Sequence, residues 1–521
     1  MLRAASLAAI SLLATLFVAC GSGSADGGAD PASAVPANAM LYAEIAVRPE
    51  GKLKDDALDA AGKVLATDDP EGKLRGFLDK ALAESEDTTL DYDKDIKPWL
   101  GERAALWLGN RLDSDDSPGG ALVVAVTDTE AAMDAVRKAA EQDSKKVAKR
   151  SYKGVDYEVY DDGNVAGTVE DFLLMGAEPE VKASIDAQKG DGLSDSDRYK
   201  QSVDQLEDER LAHFYLDVKS FFNLATQSSS GTDAQELEQL KAIFPFDRVP
   251  PVVGSFSADA DRLALDFAVK GESLKDLGAL SQTYGGGTSP LLKEMPGDSW
   301  GALAVAKYGQ SLKSMFDQMA GAFGGAAARQ QLKNQLGIDL DQDVLSRIGD
   351  VGFFVRGDTI ASLDGAAVIQ VTDEGKAAKG FGKLVGLLQS AGGVQAKPTR
   401  VDGAEAAFAV QNAQLPKPII LARSAERVVV SFGPEAARDA FAPASKLGDS
   451  DLYNEAKDSL GGLEPSVLLA MPNVVKLVES SGSADADFEK ARPYLDAYDV
   501  IAYGLEGDED EGHLRIVAGL K

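Results

Sequence analysis

An α+β fold in two homologous halves, each a mostly antiparallel sheet with packed helices, is what this chain predicts, and three patterns carry it. The first is repetition. LSDSDRYKQSVDQL at 193–206 returns as LGDSDLYNEAKDSL at 447–460 with seven of fourteen residues identical, and GALVVAVTD at 120–128 returns as GAAVIQVTD at 365–373. DYDKDIKPWLGE at 91–102 is matched by DLDQDVLSRIGD at 339–350, and VPANAMLYAEIAV at 35–47 by MPGDSWGALAVAK at 295–307. Offsets that drift while the order stays fixed indicate a tandem duplication of a domain-sized unit, not a solenoid of short repeats. The second pattern is alternation of apolar and polar residues over short runs. The third is the residue pairs Thr127-Asp128 and Thr372-Asp373, each placed between a strand-like run and an Ala-rich helical one.

In chain order, MLRAASLAAISLLATLFVAC opens with Arg3 and an apolar run to Val18, which is the layout of a secretory leader over residues 1–19. Phe17-Val18-Ala19-Cys20 resembles a bacterial lipobox, in which diacylglycerol is attached to the cysteine thiol. Cys20 is the only cysteine of the chain, so lipidation gives a lone thiol a specific use. Residues 21–34 carry no large apolar side chain, and 20–35 read as a flexible tether.

The first repeat, 36–271, begins with the alternating run Leu41 to Val47, continues through helical stretches at 53–84, and returns to strand over Leu122 to Val126. Asp128 is placed to accept the free amide protons of a following helix, as Asp373 is in the second half. The motif L-x-D-S-D-x-Y starts with capping residues and carries Tyr199, Val203 and Leu206, or Tyr453 and Leu460, at helical spacing, so it reads as a short helix laid on each sheet. Val252 to Ser257 and Leu263 to Val269 close the half as a strand pair. After a Gly-rich linker over 272–290, the second repeat, 291–521, closes the same way on Val500 to Leu505 and Leu514 to Ala518.

A formal charge of −31 argues against nucleic acid, whose binding is dominated by phosphate neutralisation. The one basic cluster, Lys145, Lys146, Lys149, Arg150 and Lys153, reads as a solvated edge. With no cysteine left for pairing in the folded part, stability must come from apolar burial.

The lipobox, the V-P-A-x-A start with Tyr42, the stretch D-x-D-x-D-I-x-P-W-L-G with Pro98, Trp99, Leu100 and Gly101, and the L-x-D-S-D-x-Y helix together resemble bacterial, largely actinobacterial, lipoproteins of the domain of unknown function 3352 family. The second copy departs from P-W-L-G, with Ser346-Arg347-Ile348-Gly349. The resemblance implies an envelope location and a coherent fold. It carries no catalytic residues to transfer.

Candidate chemistry is sparse. Gly297-Asp298-Ser299-Trp300-Gly301 matches a nucleophile elbow, with His513 downstream, but a strand-like run follows the serine where the elbow needs a helix. Ser299 therefore supports a serine hydrolase only as an alternative. His213 and His513 are the only histidines. Asp91, Asp93 and Asp95, repeated as Asp339, Asp341 and Asp343, imitate EF-hand spacing, yet Ile96 and Val344 replace the turn glycine, so helix capping is the simpler reading and no metal is expected. An apolar stripe of Leu312, Met315, Phe316, Met319 and Phe323 beside Gly324-Gly325 makes an adaptable face suited to an acyl chain or partner helix.

The expectation is a non-enzymatic protein anchored on the extracytoplasmic face of the cell membrane by diacylglycerol on Cys20, with no other cofactor. It would bind an envelope protein or a lipid-like apolar ligand through a cleft between the halves or under the Met/Phe helix. A purely structural spacer is the remaining alternative.

Overall fold

Short runs of β-branched, aromatic and small residues separated by tight turns dominate the chain, and they form strands. The structure, a computed structural model, describes residues 28–84, 90–112, 117–142, 145–229, 232–243, 245–271, 287–314, 345–373, 375, 378, 380–382, 385, 396–411, 415–482, 484–508 and 510–521. Two units result, Met1–Glu238 with Phe246–Gly271, and Gln239–Pro245 with Glu272–Lys521.

The first unit contains β1 (Leu41–Ala46), β2 (Leu100–Leu112), β3 (Pro118–Val126), β4 (Val147–Tyr152), β5 (Val155–Tyr160), β6 (Asn164–Val169), β7 (Phe172–Ala177), β8 (Ala212–Leu216), β9 (Val252–Asp259) and β10 (Arg262–Lys270). These pair in the order β4-β5-β6-β7-β3-β2-β1-β8-β9-β10, antiparallel throughout. The second unit contains β11 (Gly301–Val305), β12 (Ile348–Arg356), β13 (Asp364–Val371), β14 (Ala396–Thr399), β15 (Ala406–Val410), β16 (Ile419–Arg423), β17 (Arg427–Phe432), β18 (Pro465–Ala470), β19 (Tyr498–Gly507) and β20 (Glu511–Leu520). Their order, β14-β15-β16-β17-β13-β12-β11-β18-β19-β20, follows the same path strand for strand, again antiparallel.

Alternation sends successive side chains of each strand to opposite faces. In the first unit one face buries Tyr42, Trp107, Val123 and Leu174 against Ile185, Leu193 and Tyr199. Those three belong to the turn Leu193–Asp195 and the helices Glu178–Gln188 and Asp197–Val203. The opposite face packs Ile45, Ala104, Leu122 and Leu173 with Leu78, Tyr92 and Met133. The helical stretch expected at 53–84 is two helices, Gly51–Val64 and Pro70–Glu84, broken where Ala66 takes φ 50° ahead of Pro70.

The repeated motif folds alike in both units. Leu193–Asp195 and Leu447–Asp449 are 3-10 turns, each followed by a helix, Asp197–Val203 or Asp451–Ser459. Ser196 Oγ accepts from the Tyr199 amide at 3.4 Å and Ser450 Oγ from the Tyr453 amide at 3.2 Å. The amides of Leu193 and Leu447 donate at 2.7 Å to Val35 and Met295, residues preceding the first strand of each unit. Asp128 Oδ1 accepts from the amides of Glu130 and Ala131 at 3.0 Å, the cap expected of it. Asp373 pairs with Arg347 at 3.3 Å.

The tether expectation over 20–35 extends too far. Pro31–Ala34 form a 3-10 turn capped by Asp30, and Ala32, Ala34 and Val35 are fully buried. Their small side chains let the turn sit close against the helix Glu178–Gln188, a packing that composition alone does not display. Cys20 lies outside the described residues.

Candidate functional site

On the second face of the first sheet, where β2, β1, β8, β9 and β10 lie side by side, the strands build a groove. Register aligns Leu106, Ala43, Phe214, Gly254 and Phe267 in one row across β2, β1, β8, β9 and β10. The adjacent row is Ala104, Ile45, Ala212, Phe256 and Leu265. Ala43, Ala212 and Gly254 leave a depression between the larger side chains, and the resulting cavity measures about 320 Å³. The Phe214 and Phe267 rings meet edge to face with centroids 6.1 Å apart. Gly254 permits that closeness, since a Cβ there would fall 2.4 Å from Phe214 Cε1. Phe214, Phe256 and Phe267 are half-buried and Leu265 is 42% exposed. Complete burial of such a side chain stabilises by about 1.5–3 kcal/mol, so this floor holds unrealised driving force for an apolar ligand.

The same strands carry a polar row on the reverse face: Glu44, His213, Ser255 and Asp266, all buried. Because these side chains turn away from the groove, its floor is apolar. Tyr42 donates its hydroxyl to Glu44, and Arg103 pairs with Glu44 at 3.3 Å. His213 Nε2 and the Tyr199 hydroxyl share a 3.0 Å hydrogen bond, while Nδ1 lies 4.0 Å from Glu44. Burial, with the nearby charges of Arg210 and Arg103, pushes the His213 imidazole down to about 3, so it is neutral. Burial and the Glu44 charge hold the Tyr42 phenol well above its ordinary value. Among the described residues Ser255 Oγ has no hydrogen-bond partner, and Tyr199 occupies His213 Nε2, so these two side chains are not joined as nucleophile and base.

The residues singled out from sequence lie elsewhere. Ser299 is buried in the turn before β11. Gly301, Leu469, Ile501 and Ala518 share one row across β11, β18, β19 and β20. His513 stands at the other end of β20, opposite Glu506. At about 3.4 Å per residue and 4.8 Å per strand, the two are on the order of 25 Å apart, so no Ser299–His513 pair forms. Asp91 caps the π-turn Tyr92–Ile96, Asp93 is bound by Arg75, and Asp95 pairs with Lys138 at 2.6 Å. Cations and backbone amides therefore occupy these carboxylates, and among the described residues no three His, Cys, Asp or Glu converge to hold a metal. Asp339, Asp341 and Asp343 lie outside the described residues, as do Met315, Phe316, Met319 and Phe323. Leu312, which is described, is half-buried.

Sequence reasoning placed the apolar face on a helix and missed the one on the sheet. A signal was present: LALDFAV in β10 and AHFYL in β8 are largely apolar at both odd and even positions, more than a strand covered on one side requires.

Among the described residues no helix is long and apolar enough to cross a membrane. Sheet and groove define an α+β protein of two sheet-based units with an apolar recess in the first. The chain belongs to the family described as protein of unknown function (DUF3352), whose model matches residues 2–460. No curated protein matches it. Among solved structures, crystal form I of TP0453 is 9% identical over 47% of this chain and 79% of that one, with a TM-score of 0.25. Crystal form III of TP0453 is 9% identical over 46% and 80%, at 0.24.

Proposed function

We propose that this chain is a non-enzymatic, lipid-anchored protein of the extracytoplasmic membrane face that binds an apolar ligand in the groove of its first sheet. The observation that carries the reading is the 320 Å³ recess with an apolar floor, since a half-covered row of phenylalanines is costly to leave in water. The leader and Cys20 support the anchor, because two acyl chains at about 0.8 kcal/mol per methylene hold a protein stably to a leaflet. The shared strand order and the paired motif turns support descent of both units from one duplicated ancestor.

The second unit supports a different use of the same face. There the matching row is Phe353, Leu303, Val467, Tyr503 and Ile516, so Leu303 stands where Ala43 does and Tyr503 where Gly254 does. The depression is filled, while Leu303, Phe353 and Val467 remain 37%, 43% and 36% exposed, which suits a protein partner better than a small ligand.

Two experiments test the reading. Metabolic labelling with an alkyne fatty acid, followed by mass spectrometry, is expected to place the label on Cys20 and to lose it in Cys20→Ala. Native mass spectrometry of Cys20→Ser protein prepared without detergent is expected to show one small apolar molecule per chain. An empty protein that also fails to take up a fluorescent apolar probe would overturn the apolar-ligand reading and leave the protein-partner and spacer readings.

A further inference from the structure

The groove has a shape that selects within the apolar class. Its small residues alternate between the two rows, Ala43 on β1, Ala212 on β8 and Gly254 on β9, so they trace one path that crosses three strands. Ile45 and Phe256 wall one side and Phe214 stands between Ala43 and Gly254 on the other, which leaves the path one side chain wide. A straight hydrocarbon chain fits such a path, whereas a methyl-branched chain or a fused ring system meets the phenylalanines.

The charges at its ends speak to the rest of the ligand. At the β9–β10 turn, Lys52 is shared among Asp56, Glu209 and Asp259, and Arg262 is bound to Asp259. At the opposite end Arg198 pairs with Asp217 at 2.8 Å. An anionic head group drawn to Lys52, Arg262 or Arg198 would have to displace a carboxylate, and the protein as a whole carries −31. An uncharged head group meets no such cost.

Resting on the apolar-ligand reading above, we propose that the groove holds one unbranched acyl chain of an uncharged glyceride, with Ala43, Ala212 and Gly254 setting the width it accepts. Leu303 at the register position matching Ala43 shows that the sheet accommodates the larger residue, so Ala43→Leu closes the path without unfolding the strand.

The test is photo-crosslinking of the full chain in membrane vesicles. Three probes are compared, each with a diazirine in its chain: a straight hexadecanoyl monoglyceride, the free acid of the same chain, and a monoglyceride of a tetramethyl-branched chain. The straight monoglyceride is expected to label peptides containing Ala212–Leu216 and Val252–Lys270, and Ala43→Leu is expected to reduce that label about tenfold with the melting temperature unchanged. Ala212→Val narrows the same path from the neighbouring strand and serves as the second variant. Equal labelling by the free acid or by the branched ester, or undiminished labelling of both variants, overturns the proposal and leaves the apolar-ligand reading standing. No adduct from any probe on these peptides overturns both.

Discussion

His213 is a neutral imidazole boxed in by Glu44 on its own sheet, Tyr199 on the overlying helix, and the charges of Arg103 and Arg210. Its folded value of about 3 lies below the ordinary 6.5, so between those pH values the unfolded chain takes up a proton that the folded chain refuses. This contribution to stability is complete above pH 6.5 and declines as pH falls toward 3, by about 1.4 kcal/mol per pH unit. In a Trp300→Phe background, Trp99 and Trp107 report on the first unit alone. Urea titrations read there at pH 7 and pH 5 are expected to show His213→Gln losing about 2 kcal/mol less than the parent between the two. At this scale the sequence showed His213 as one of two histidines, set in a strand-like run, but not the Tyr199 and Glu44 that enclose it. It was silent about Ala43, Ala212 and Gly254. Small residues carry no chemical signal of their own, and these come from strands as far apart in the chain as Ala43 and Gly254, so only register makes them a groove.

The repeated short helix is the element that the sequence announced most clearly, because its information is local: a serine cap, an acidic first turn and a tyrosine aimed inward. Ser450→Ala is expected to cost about 1 kcal/mol in equilibrium unfolding followed through the second unit, and Ser196→Ala a similar amount in the first. The sheet edges are legible only once pairing is known. At one edge of the first sheet β4 is exposed along nearly its whole length, and Lys149 and Arg150 stand on it. In the second sheet the matching β14 carries Pro398, which has no amide proton to offer another chain. Charge and proline are two ways to refuse a foreign strand. Replacing Lys149 and Arg150 together with valine is expected to produce concentration-dependent oligomers in size-exclusion chromatography, while Lys149→Glu leaves the protein as it was.

Across the whole molecule each unit depends on a carboxylate held ionised into strong acid. Lys182, Tyr157 and Arg150 together bring Glu178 down to about 2. Burial opposes ionisation of Glu464, yet Lys457, Tyr453 and Lys293 outweigh it and hold that group at about 2 as well. Carboxylates lowered in this way stabilise fully above about pH 4.5 and lose that effect as pH falls toward 2. Thermal scans from pH 7 to pH 2.5 are therefore expected to show both units melting earlier below pH 4.5, with Glu178→Gln and Glu464→Gln each flattening the response of its own unit. Repeated segments with drifting offsets are the sequence's contribution at this scale. The strand order is not legible there, because neighbours such as β3 and β7 are joined by contacts that no local pattern encodes.

The buried turn Pro31–Ala34 precedes β1, which is hydrogen-bonded to β2 on one side and to β8 on the other. Any tension arriving from the N-terminal end is delivered to the interior of the sheet instead of its margin. Pulled along its length, β1 would have to shear two ladders at once, with no bond exposed to be peeled first. Because β1 also carries Ala43 and Ile45, the recess keeps its shape under such a load for as long as both ladders hold.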